Sequence, residues 1–168
     1  KVGRYGKDGV NTWDYSGKRA TESVYESMER LHIDYIDLIN VHDIEFADLH
    51  QVVEETLPAL VELKKKGVVG HVGITDLQLG NLKWVVDHVP EGTVETILNF
   101  CHYCLNDDAL TDYLDYFESK GVGIINASPF GMGLLSQRGV PDWHPAPKAL
   151  VEACQKAVQH CLARHYPI

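Results

Sequence analysis

The chain has 168 residues, 45% hydrophobic and 23% charged, a globular balance that suffices for one domain with a sizeable core or for part of a larger one. Its net charge of −9 leaves no basic face to meet phosphates, which excludes nucleic acid as the expected partner. No apolar run approaches the roughly 18 residues that a membrane span needs, so no membrane association is expected.

The chain opens on Lys1 rather than Met, shows no signal peptide, and reads as a fragment or processed piece. "TESVYESMERL" has helical spacing, with Ala20, Val24, Met28 and Leu31 on one face and Ser16 as candidate N-cap. "DYIDLINVHDIEF" follows. Its apolar residues Ile36, Leu38, Ile39 and Val41 describe a buried strand that ends abruptly in His42 and Asp43. "LHQVVEETLPALVELKKKG" is a helix with Leu49, Val53, Leu57, Leu60 and Leu63 on one face, basic residues in its last turn and Gly67 as its stop. Pro58 inside it predicts a kink. Then come the strand "VVGHVGIT", the helix "LGNLKWVVDHV", the strand "VETILNFC", the helix "ALTDYLDYFESKG", the strand "VGIINA" and a last helix from about Pro147 to His165.

Alternating strands and helices with near-continuous apolar strands predict an α/β fold with a parallel sheet covered by helices. The strand ends fall at His42, Thr75, His102 and Ser128, a spacing close to the roughly 31 residues per unit of a (β/α)₈ barrel. An open doubly wound sheet is the alternative, although no GxGxxG follows the first strand. Four complete strands and the tail of a fifth at Lys1–Gly3 fall short of the eight that a closed barrel needs. The expectation is an incomplete TIM-type barrel, about strands 3 to 7 with their helices, with an exposed apolar sheet edge and poor solubility when isolated.

The four cysteines are Cys101, Cys104, Cys154 and Cys161. "CHYC" has no second CxxC to complete a zinc site, and "LNDD" separates it from the next helix, unlike a redox CxxC. Cys154 and Cys161, on one helix, read as packing. A reducing, cytoplasmic compartment fits best. Trp13 and Trp84 also read as packing.

In such barrels catalytic groups sit at the C-terminal ends of the strands, which is where His42 stands; a histidine there can equally cap a loop. "KVGRYG", "DYIDLINVHDIEF", "GHVGIT", "ILNFCHYCLND" and "NASPFGMGLLSQRGVPDWHPA", in this order and spacing, resemble the aldo-keto reductase superfamily. "CHY" with "ND", and "ASPFGMGLL" with "WHPA", resemble its L-galactose dehydrogenase branch. The resemblance implies that residues 1–168 are one partial reductase barrel domain. It also implies an NAD(P)-dependent oxidoreductase, without a metal, that moves hydride between nicotinamide and a sugar or aldehyde. The branch favours NAD over NADP, and the parent protein is expected to be a monomer.

The family uses a Tyr, a Lys, an Asp and a His. The Lys matches Lys1 and the His matches His42. The Tyr and Asp precede the Lys in the family pattern and are not in this sequence. Neither Tyr5 nor Asp43 is a stand-in: Tyr5 lies in the loop after the Lys, and Asp43 belongs to a branch pattern "HD" that steadies the loop or the imidazole. The fragment alone is therefore expected to be inactive.

Toward the cofactor the resemblance implies Thr75 and Asp76, where the family has Ser-Asn, then Asn99, and then Ser128, Phe130, Met132, Gly133 and Leu134 around the pyrophosphate. An aspartate at 76 cannot donate as the amide does. Ala127 replaces a stacking aromatic. His102, Tyr103 and Trp143 are implied on the substrate side, with His144 beside them. The competing readings are a truncated barrel that only binds or associates, and a metal-dependent hydrolase using His42, Asp43 and His102.

Overall fold

The computed structural model describes residues 1–7, 10–166 and 168. They form two compact units, one of Lys1–Asn99 with Tyr113–Ile125 and the other of Phe100–Asp112 with Asn126–Ile168.

In the first unit, β1 (Arg4–Lys7) and β2 (Val10–Trp13) make an antiparallel hairpin that pairs Arg4 with Trp13 and Tyr5 with Thr12. The sequence pattern did not reveal it. "RYGK" and "VNTW" carry no apolar alternation, and the hairpin pairs only with itself. Aromatic contacts dress it instead: the Arg4 guanidinium lies over Trp13, Arg19 lies over Tyr5, and Trp13 stacks on Phe46 at 4.2 Å.

Helix α1 (Gly17–Leu31) starts where expected, with the Ser16 side chain accepting from the Arg19 N–H at 3.2 Å. Ala20 and Val24 are buried. Leu31 is not, contrary to the expected face. It occupies the last helical position, just before the chain reverses at left-handed His32, and is 64% exposed.

Strands β3 (Ile36–Val41), β4 (Val69–Asp76), β5 (Thr96–Phe100) and β6 (Gly123–Ala127) form a four-stranded sheet in that order. Neighbours β3–β4 and β4–β5 run parallel, with Val41 opposite Ile74 and Asp76 opposite Asn99. The expected strand tail at Lys1–Gly3 is a single parallel bridge. The Val2 N–H donates to the Asn40 carbonyl, and the His42 N–H donates to the Val2 carbonyl. Val2, Val41, Ile74 and Ile97 have no exposed surface, each worth roughly 1.5–3 kcal/mol on burial. Ile125 on β6 is 37% exposed, in line with the expected apolar edge.

The second helical segment is not a plain α-helix. α2 (Leu49–Gln51) runs through a π-helical stretch, Val52–Thr56, into α3 (Leu57–Lys65). Here the Leu57 N–H bonds the Val52 carbonyl. Pro58 has no N–H to offer the residue one turn back, and the widened turn just before it takes the place of the predicted kink. The extra residue rotates the buried stripe: Val52, Thr56, Leu57, Leu60 and Leu63 are buried, where the pattern placed Leu49 and Val53. Helix α4 (Leu79–Asp87) buries Leu82 and Val85, and α5 (Leu114–Ser119) buries Phe117.

The second unit has its own small core. Leu134, Leu135 and Cys154 are buried against Cys104, Val140, Leu150 and Val151, with Cys154 on α6 (Lys148–Leu162). All four cysteines are free thiols. No helix of the described residues is long and apolar enough to cross a membrane.

Candidate active site

The C-terminal end of β3 converges on Asp43. Its backbone is left-handed, at φ 47°, which turns the chain off the strand and directs the carboxylate back toward the imidazole. His42 Nε2 lies 3.2 Å from Asp43 Oδ1, and Arg4 Nη1 lies 3.3 Å from Oδ2. The Asp43 N–H donates to Thr75 Oγ1 at 2.8 Å, and that hydroxyl donates to Asp43 Oδ1 at 3.3 Å. The ends of β3 and β4 are thereby tied together at the level of His42. Asp43 steadies both loop and imidazole, as the sequence suggested.

Burial, reinforced by the Lys1 charge, holds the His42 pKa below the ordinary histidine value, against the opposing pull of Asp43. The imidazole is therefore neutral near pH 7 and able to donate a hydrogen bond without carrying charge.

Behind it lies a carboxyl pair. Asp76 is 1% exposed and accepts from the Gln78 N–H at 2.6 Å and from Asn81 Nδ2 at 2.9 Å, so it also organises the entry to α4. Glu45 hydrogen-bonds it from the loop after β3. Burial, with Asp76 and Asp43 nearby, pushes the Glu45 carboxyl up to about 7. Asn99 is fully buried on β5 and donates from Nδ2 to the Ile125 carbonyl at 3.4 Å. The first unit thus brings His42, Thr75 and Asp76 together at neighbouring strand ends, with Asn99 opposite Asp76 in the β4–β5 register.

Tyr15 holds this end from below. It is 3% exposed, and its hydroxyl lies 2.9 Å from the His42 carbonyl and 2.7 Å from the Asp43 carbonyl. Sequence reasoning missed Tyr15, Glu45 and Arg4. Arg4 and Glu45 lie inside the quoted stretches "KVGRYG" and "DYIDLINVHDIEF" but carried no signal of their own, and Tyr15 lies 27 residues before His42 in the chain.

In the second unit the expected strand end at His102 falls short, because β5 stops at Phe100 and left-handed Cys101 (φ 68°) starts a turn. His102 Nδ1 pairs with Asp107 Oδ2 at 2.9 Å, and the His102 carbonyl accepts from the Leu110 N–H. Tyr103 is 49% exposed. In "CHYC" the Cys104 thiol donates to the Cys101 carbonyl at 3.3 Å, closing the turn.

The loop after β6 also differs from expectation. Ser128 Oγ accepts from the Met132 N–H at 3.0 Å. The N–H groups of Gly131, Gly133 and Leu134 bond the carbonyls of Ser128, Phe130 and Gly131. These donors close the loop's own tight turns. The Leu134 side chain is core, whereas Phe130 is 53% exposed. Met132, Gly133 and Trp143 line one hollow of about 460 Å³ with Ser136, Arg138 and Val140. His144 is a pin: its Nε2 bonds the Gly131 carbonyl and its Nδ1 accepts from the Ala146 N–H. Among the described residues no group of three or more His, Cys, Asp or Glu is placed to hold a metal ion.

Parallel strands alternating with helices, and functional groups gathered at the strands' C-terminal ends, define an open part of a (β/α)₈-type barrel. A solved aldo-keto reductase from Bacillus halodurans, in its holo form, superposes with a TM-score of 0.75 over 96% of this chain and 57% of its own, at 26% identity. A glycerol dehydrogenase from Gluconobacter oxydans shares the fold, with a TM-score of 0.72 at 18% identity over 99% of this chain and 55% of its own. The aldo/keto reductase family profile matches residues 1–166, and the chain belongs to that family. It is 50% identical to L-galactose dehydrogenase of Arabidopsis thaliana over 98% of this chain and 50% of the relative. It is 30% identical to D-arabinose 1-dehydrogenase of Saccharomyces cerevisiae over 96% of this chain and 49% of the relative. The chain spans about half the length of these curated relatives.

Proposed function

We propose that residues 1–168 form one partial barrel domain of an NAD(P)-dependent oxidoreductase acting on a small sugar or aldehyde, with an L-galactose-like aldose as the favoured substrate and NAD as the favoured cofactor. The observation that carries this reading is the neutral, half-buried His42 fixed by Asp43 at a strand end beside the Lys1 charge, in a chain half identical to an L-galactose dehydrogenase. Toward a nicotinamide carboxamide the reading relies on the Thr75 hydroxyl and the Asn99 amide at adjacent strand ends, which bond Asp43 and the Ile125 carbonyl here and would exchange those partners on binding. When bound, the nicotinamide supplies the hydride chemistry.

The remaining work belongs to the chain. His42 orients and polarises the substrate carbonyl through a neutral N–H. Lys1 favours the ionised form of a neighbouring phenol, lowering a pKa near 10 toward working pH. That phenol, with the Asp that pairs with the Lys, comes from outside residues 1–168, and we infer that this chain alone binds without turning over. Asp76 serves the α4 entry rather than donating to the cofactor. Ser128, Phe130, Met132, Gly133 and Leu134 contribute cofactor contacts through a loop that must open some of its internal bonds. His102, Tyr103 and Trp143 face substrate hydroxyls. A monomeric protein in the reducing cytoplasm agrees with the four free thiols.

Titration with NADH and NADPH, followed by tryptophan fluorescence, tests the reading. Saturable quenching, tighter for NADH, is the expected result. Absence of binding by a folded chain would favour the truncated barrel that only associates.

A further inference from the structure

We propose that Tyr15 is the positioning residue that sets His42 relative to Lys1. The inference rests on the reductase reading for its catalytic meaning, and on geometry for its substance. The phenol hydroxyl lies within hydrogen-bond distance of the carbonyls of both His42 and Asp43. It has one proton for two acceptors, so it bridges the turn at which the strand stops being a strand. Asp43 there adopts a left-handed backbone that a non-glycine residue keeps only when its surroundings hold it.

The same ring fixes the other catalytic segment. Gly3, at φ 100°, has no side chain because a Cβ would lie 2.5 Å from Tyr15 Cε1. The ring therefore sits close against the backbone two residues after Lys1. Tyr15 is itself held at its other end, where the buried Thr56 hydroxyl donates to the Tyr15 carbonyl. One side chain thus touches the backbone of both segments that carry the proposed reacting groups, and it contacts neither Nζ nor imidazole. It has no role as acid or base, since burial and the negative groups Asp43, Glu45 and Asp76 push its pKa far above its ordinary value.

The charged groups that face the imidazole are Lys1, Asp43, Arg4 and the terminal amine. Their balance depends on the backbone position of residues 42 and 43. Removing the hydroxyl while keeping the ring loosens that position and lets the imidazole approach solvent.

The test is the titration of His42, read by NMR on the whole chain carrying ¹⁵N-histidine, in wild type and in Tyr15→Phe. The expected result is a folded variant whose His42 midpoint rises by about half a unit or more toward the ordinary histidine value. Gly3→Ala, which displaces the ring but keeps the hydroxyl, shifts it in the same direction and decides the matter should Tyr15→Phe not fold. A lowered melting temperature with an unmoved His42 midpoint would mean that the tyrosine is only packing and would overturn the proposal. The readout needs no cofactor. A moved His42 in a protein that binds neither NADH nor NADPH would therefore refute the reductase reading and leave the positioning role standing.

Discussion

Glu45 and His42, three residues apart, tie stability to pH in opposite directions. The Glu45 carboxyl keeps its proton in the fold up to about 7, against an ordinary value of 4.5. Its contribution is complete below 4.5 and is lost as pH rises through 7. The His42 imidazole has a folded pKa below its ordinary 6.5. Its contribution is present above 6.5 and is lost as acid protonates the unfolded chain first. Glu45→Gln, which cannot ionise, is expected to shrink the alkaline loss to the part that comes from Asp76, whose carboxyl burial also pushes up, and to leave the acid one. Urea midpoints measured from pH 5 to 8 check this, and a variant that still weakens between pH 6 and 8 as wild type does would refute the raised Glu45 carboxyl. His42 was legible in the sequence because an apolar strand ending in an imidazole is a local pattern. Glu45 was not, because its pKa is set by burial and by Asp76, a residue 31 positions away that only the β3–β4 register brings near.

The segment from Leu49 to Lys65 carries the element-scale lesson. Its existence, its basic last turn and its stop at Gly67 were readable from local composition. Its buried face was not, because one widened turn at Val52–Thr56 shifts the phase of everything before it. Periodicity assumes a constant 3.6 residues per turn and fails where the helix departs from it. Thr56 is fully buried in that turn and donates to the Tyr15 carbonyl. Thr56→Val is expected to cost about 1–3 kcal/mol, since it leaves a buried carbonyl without its donor. Equilibrium denaturation measures the loss, and a change within error of zero would show that the bond is dispensable. The β1–β2 hairpin escaped the sequence for a different reason: its two four-residue strands carry no apolar alternation to read.

For the whole molecule, the parallel strand–helix alternation was legible from spacing, but the division into two units was not. Both units have apolar segments, and nothing in composition marks Phe100 and Asn126 as crossing points. The units also differ in how their backbone amides are secured. β4 is hydrogen-bonded on both sides by β3 and β5. Residues 134–147 hold only short turns and the small core around Leu134 and Cys154. Hydrogen exchange is expected to be slower in β4 than in 134–147 by about two orders of magnitude or more. Uniform protection across both would mean that the chain opens only as a whole.

The close fit of Tyr15 against Gly3 also bears on how this sequence is free to vary. The two positions share one volume, so a side chain at position 3 either displaces the ring at position 15 or goes with a smaller residue there, and changes at the two positions are coupled. Position 3 carries the tighter restriction, because its left-handed backbone admits few residues besides glycine. Loss of the ring at 15 frees that volume, whereas a side chain that arrives at 3 first must displace the ring.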